Sequence, residues 1–126
     1  MTNRLKYSIN IKMSDCLFCR IINKKIPAKI VAETPGIIAI RDVNPQAPVH
    51  ILIIPKKHIP SLNDAAKTDG SIIADVHMLA KELAKKEKVD TDGYRLVLNT
   101  NSGAGQSVFH IHWHLLGGRL MKWPPG

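Results

Sequence analysis

The run Val108-Phe109-His110-Ile111-His112-Trp113-His114-Leu115-Leu116 decides the fold. Side chains along a strand alternate between two faces, so Phe109, Ile111, Trp113 and Leu115 fall on one side and His110, His112 and His114 on the other. The apolar set marks a core face. The histidine set predicts an exposed row of three imidazoles, successive ones about 6.6–7 Å apart by strand rise. Half of the chain's six histidines on one face of one strand point to chemistry rather than to a solvated surface.

Working outward from that strand, residues 94–99 read as a neighbouring strand entered by the Asp92-Gly93 turn. A loop of small residues, 100–107, separates the two. Before them, Ile72, Ile73, Val76, Leu79, Ala80, Leu83 and Ala84 recur at helical spacing and predict one long helix over 71–88. His77 lies beside that apolar stripe and is read as structural. Residues 49–54 run apolar without alternation, as in a central strand covered on both faces. Residues 30–33 and 37–40 flank Thr34-Pro35-Gly36 and predict a hairpin. Cys16 to Ile22 reads as a short helix, stopped by Pro27. Five strands, one long helix and one short N-terminal helix predict an α+β domain with a five-stranded, mainly antiparallel sheet.

The chain's 126 residues, 44% hydrophobic and 22% charged, suit one domain with a proper core. The domain is expected over 14–126, behind a basic, poorly ordered leader at 1–13. Arg4, Lys6 and Lys12 supply three of the eight net positive charges, and no acid offsets them there. That charge suits a small anionic ligand. It does not mark a binder of nucleic-acid polymers, because none of the six aromatic residues is interleaved with a basic cluster. No apolar run approaches the roughly 18 residues a membrane span requires. Neither a secretory signal nor a membrane partner is expected, and the location is read as cytoplasmic.

Two chemistries fit the histidine row. It can hold a catalytic metal, as in a zinc-dependent hydrolase, or grip a phosphate while one imidazole attacks phosphorus. The preceding loop favours the second: Gly103, Gly105 and Ser107 can turn amides and a hydroxyl toward an anion, and Asn99 adds a neutral donor. Cys16 and Cys19 form a C-x-x-C pair. Buried thiols, a redox pair and zinc ligation are the readings open to it, and a structural disulfide suits the rest of the sequence poorly.

The row, in the form His-φ-His-φ-His-φ-φ, resembles the signature of the histidine triad (HIT) family. Gly105-Gln106-Ser107-Val108 before it resembles that family too. So do Ile26-Pro27-Ala28-Lys29, the 42–48 segment, His50, and Ile54-Pro55-Lys56-Lys57-His58. The ending Trp123-Pro124-Pro125-Gly126 is similar to the Hint branch in particular. This resemblance implies a purine nucleoside phosphoramidase, working as a homodimer whose sheets join. His112 would attack the α-phosphorus and form a nucleotidyl-histidine; His114 would hold the phosphate and help protonate the leaving amine. Asn99, Gly105, Gln106 and Ser107 would cradle phosphate oxygens. Asp42 would bind the ribose, while Phe18, Ile21, Ile40, Arg41 and Val43 would line the purine slot. Trp123 would reach the partner subunit's site. His50 would orient the triad, and catalysis would need no cofactor. An interaction protein with vestigial catalysis is the other reading. Arg41 and Asn44 depart from the His and Ser that animal members often carry. Cys16 and Cys19 with His58 and His110 would hold a structural zinc, as in some family members.

Overall fold

The Thr34-Pro35-Gly36 turn brings its two flanking runs together as an antiparallel hairpin, β1 (Ile30–Glu33) and β2 (Ile37–Arg41). This is a computed structural model, and it describes residues 15–126; the expected leader lies outside the described residues. The other elements are α1 (Leu17–Ile22), β3 (Val49–Pro55), α2 (Gly70–Lys86), β4 (Tyr94–Val97) and β5 (Trp113–Gly117). Every pairing is antiparallel, in the order β1-β2-β3-β5-β4.

The sheet buries both faces at its centre. Ile51, Ile53, Trp113 and Leu115 pack with Val76, Ala80 and Leu83 of α2. Ile38, Ile40, Leu52 and Ile54 face the other way, against Phe18 and Ile21 of α1. Two covered faces explain why β2 and β3 run apolar without alternation. The β3–β5 register sets Leu52 opposite His114, so the imidazole lies on the α1 side of the sheet. His77 meets Trp113 edge-on, with ring centroids 6.1 Å apart.

Three expectations change. The last strand begins at Trp113, not at Val108. Ahead of it, the Ile111 N–H donates to the Ile59 carbonyl at 2.7 Å, so the segment carrying His58 occupies the place of a ladder partner. Phe109 consequently stays half exposed, outside the core. The histidine row is not exposed either: His110 and His112 are buried, because α1 lays Phe18 edge-on against both rings.

Candidate active site

Backbone carbonyls fix the tautomers of the first two triad histidines. A carbonyl only accepts, so an imidazole nitrogen facing one must carry the proton. His112 Nδ1 lies 2.8 Å from the His110 carbonyl; its Nδ1–H is therefore the donor, and a neutral ring keeps its lone pair on Nε2. His110 is set the opposite way round. Its Nε2–H donates to the Pro55 carbonyl at 2.7 Å, leaving the lone pair on Nδ1. Burial drives both rings toward the neutral form, pushing His110 down to about 4 and lowering His112 as well.

His114 is fixed through a neighbour. The Gln46 N–H donates to His50 Nδ1 at 3.0 Å, so neutral His50 carries its proton on Nε2. That atom lies 2.9 Å from His114 Nδ1 and 3.4 Å from Asp42 Oδ2. His114 Nδ1 thus accepts, and its own proton stays on Nε2. Burial, then the neighbouring His112 and His50, push His114 down to about 4.

Among the described residues, two groups of side chains bring ligand atoms within 4.8 Å of one another: Cys16, Cys19, His58 and His110, and separately Asp42, His50 and His114. Only the first has the chemistry of a metal site. Cys16 Sγ and Cys19 Sγ lie 3.4 and 3.5 Å from His110 Nδ1, Cys19 Sγ lies 3.3 Å from His58 Nδ1, and the two Nδ1 atoms are 3.1 Å apart. A Cys2His2 zinc tetrahedron has S–N edges of about 3.6 Å and N–N edges of about 3.4 Å. The Pro55 carbonyl receives the far N–H of His110, the outer hydrogen bond that metal-bound histidines characteristically make. Without a cation, burial and the neighbouring Cys16 push the Cys19 thiol up to about 12. The second group fails the same test. A ligating His50 would need a lone pair on Nε2 and hence a proton on Nδ1, where the Gln46 N–H already points.

The three triad rings therefore do not converge on one point. His110 joins the cysteines, His114 joins His50, and His112 stands between them with Nε2 free of any hydrogen bond to the described residues. His112 and His114 line a cavity of about 1030 Å³, large enough for a mononucleotide-sized ligand. Phe18, Ile21, Ile40, Arg41 and Val43 line it as well, together with Asp42, His50 and Ser107.

The comparisons agree on the fold family: residues 23–121 match the HIT domain model. The chain belongs to the HIT family. An uncharacterised HIT-like protein of Synechocystis is 47% identical over 112 residues, covering 89% of this chain and 97% of that one. A HIT family hydrolase from Legionella pneumophila is 56% identical, with TM-score 0.87, covering 88% of this chain and 99% of that one. A second HIT family hydrolase, from Clostridium thermocellum, is 43% identical with TM-score 0.85, over 88% and 96% of the two chains. A less similar structure, at 30% identity and TM-score 0.74, is a zinc-bound HIT protein from Mycobacterium smegmatis; 86% of this chain and 78% of that one are covered.

Within this HIT domain, four residues expected at the nucleotide do not line the cavity. The Gln106 side chain turns inward: its Oε1 accepts from the Asn101 N–H at 2.7 Å, and its Nε2 donates to the carbonyls of Pro60 and Val108. Its backbone N–H donates to the Asn101 carbonyl and that of Gly105 to the Ser102 carbonyl. In this structure the loop's own carbonyls take the amides of Gln106 and Gly105, so both residues brace the loop. Gly105 sits at φ +97°, where a side chain would be strained, and an added Cβ would lie 4.0 Å from Asn99 Nδ2. Asn99 borders the loop, and Trp123 stands 83% exposed in the C-terminal tail.

Sequence reasoning missed Gln46 and Pro55, which act through the backbone and carry no chemical signature. It also missed that Arg41 forms an ion pair with Glu87 at the end of α2. Each partner stabilises the other's charged form, raising the Arg41 pKa and lowering that of Glu87.

Proposed function

We propose that the protein hydrolyses purine nucleoside phosphoramidates to a nucleoside 5′-monophosphate and an amine, by way of a nucleotidyl-histidine on His112. The observation that carries this reading is the hydrogen bond from His112 Nδ1–H to the His110 carbonyl, which commits the lone pair to Nε2 in a ring lining the cavity. In the first step Nε2 bonds to the α-phosphorus and the P–N bond breaks. The nitrogen leaves as an amine, taking a proton supplied through Ser107 and His114. Positive charge then grows on the His112 ring, and its Nδ1–H bond to the carbonyl strengthens as it does. In the second step water attacks phosphorus, the P–Nε2 bond breaks, and the water returns the borrowed proton.

The rest of the cavity is assigned by position. His114 Nε2–H and Ser107 hold phosphate oxygens, with Asn99 beside them. Asp42 takes the ribose hydroxyls, and Phe18, Ile21, Ile40, Arg41 and Val43 form the purine slot. A metal hydrolase built on the row has no support in the geometry, since the three rings diverge.

Cys16, Cys19, His58 and His110 hold a structural zinc in this reading. The ion would supply charge for two thiolates and a tether from α1 to the segment before β5. A homodimer in a reducing, cytoplasmic compartment completes the proposal, with Trp123 reaching the partner subunit's site. Turnover of an adenosine phosphoramidate by wild type and by His112→Asn tests the function. The wild type should release AMP and amine while the variant loses at least about 10⁴-fold in kcat, as when a nucleophile is removed elsewhere; equal rates would refute it.

A further inference from the structure

The proton on His50 Nε2 has two acceptors. One is His114 Nδ1 at 2.9 Å and the other is Asp42 Oδ2 at 3.4 Å. No second proton is available on this ring, because the Gln46 N–H occupies Nδ1. Asp42 is itself held in place: the Asn44 N–H donates to Oδ1 at 2.8 Å, so Oδ2 is the oxygen whose bonding can change. Asp42, His50 and His114 all border the same cavity, and His50 is only 5% exposed. Solvent is poorly placed to satisfy that contest from the His50 side.

We propose that Asp42 and His50 form a relay through which a bound ribose tightens the hydrogen bond that aims His114 at the phosphate. The inference rests on the function proposed above and deepens it. With the sugar absent, the Asp42 carboxylate draws on the His50 proton and weakens its bond to His114. A vicinal diol donating to Asp42 takes up that lone pair and disperses the negative charge. The His50 Nε2–H then belongs wholly to His114 Nδ1. This locks the His114 ring with Nε2–H toward the phosphate and leaves Nδ1 unable to take a proton. Asp42 and His50 are positioning residues in this scheme; neither touches the reacting phosphorus.

Ribose recognition then acts on the chemical step and not on affinity alone. Hydroxyls that only added binding would change KM and leave kcat untouched. Removing hydroxyls that set the His114 donor should instead lower kcat, by about 10-fold if the coupling matches ordinary networked pairs.

The test compares adenosine phosphoramidate with its 2′,3′-dideoxy analogue on wild type and His50→Gln. A glutamine amide offers two protons, one for His114 and one for Asp42, and so removes the contest while keeping the donor. The expected result is a kcat ratio of about 10 between the two substrates in wild type, shrinking to within about 2-fold in His50→Gln. A wild-type penalty confined to KM, or an equal kcat ratio in both proteins, would overturn the relay. A second measurement does not depend on the variant folding. The ¹⁵N shift of the unprotonated His114 Nδ1 in wild type should move further upfield, as a stronger hydrogen bond requires, with adenosine than with 2′,3′-dideoxyadenosine, and identical shifts would overturn the proposal. If wild type fails to turn over adenosine phosphoramidate, the proposed function falls, while the ¹⁵N comparison still decides the relay.

Discussion

The carbonyl of His110 accepts the Nδ1–H of His112 at 2.8 Å, so one peptide unit joins the metal-ready cluster to the proposed nucleophile. His110 faces Cys16 and Cys19 with its ring and steers the His112 tautomer with its backbone. The same cluster anchors α1, whose Phe18 and Ile21 border the cavity. Holding the N-terminal helix and orienting the nucleophile are therefore one structural task.

Chelation should expose that link. Zinc at about 1,000 times its Kd would stabilise the fold by about 4 kcal/mol. Stripping it, or making Cys19→Ser, should lower the Tm by roughly 10–20 °C for a domain of this size. Differential scanning fluorimetry with zinc analysis by mass spectrometry checks this. An unchanged Tm in fully metal-free protein would remove zinc from the account.

Gln106 is predicted to matter for stability more than for chemistry. It is 3% exposed, and its side chain partners one amide and two carbonyls. Gln106→Ala leaves those half-buried groups without their partner, at a cost of about 1–3 kcal/mol. Urea unfolding should show that loss, with kcat in the surviving folded protein reduced by less than about 10-fold.

How far the sequence revealed this site depends on which atoms do the work. The period of two placed Ile111, Trp113 and Leu115 in the core, and the C-x-x-C pair with His58 and His110 meets as expected. The burial of the row was not legible, since it depends on Phe18 arriving from a helix more than 90 residues away in sequence. Phe109 has the alternation of a core residue, but the ladder starts too late to bury it. The tautomers were hidden for a different reason: Pro55, His110 and Gln46 set them with backbone groups, which every residue type carries.

Acid should weaken the fold through the buried imidazoles. Above an unfolded pKa of about 6.5, His50 and His114 are neutral in both states and contribute no pH dependence. Burial lowers both in the folded protein, His114 to about 4, with Asp42 partly opposing the shift at each. The unfolded chain takes up protons first, so stability falls as pH drops from about 6.5 toward 4, by up to about 1.4 kcal/mol per unit from His114, with His50 acting in the same direction. Urea unfolding across that window should show a shallower slope in His114→Asn than in wild type, and the two should differ little above about pH 7.

Arg41 joins the cavity to the end of α2 through Glu87. Arg41→Ala should cost about 1 kcal/mol in stability, as for a partly exposed charged hydrogen bond. It should also raise KM for an adenosine phosphoramidate more than it lowers kcat, if Arg41 borders the base and not the phosphorus, as proposed. Steady-state kinetics read both parameters from one titration; a fall in kcat at constant KM would contradict the assignment.

The central claim is a covalent nucleotide on His112, and intact-protein mass spectrometry after a rapid alkaline quench tests it most directly. In a single turnover of an adenosine phosphoramidate, the wild type should transiently gain the mass of one bound nucleotidyl group, mapped to His112, and His112→Asn should gain none. Rapid release of AMP with no adduct at any time point, or an adduct that persists in the variant, would contradict it.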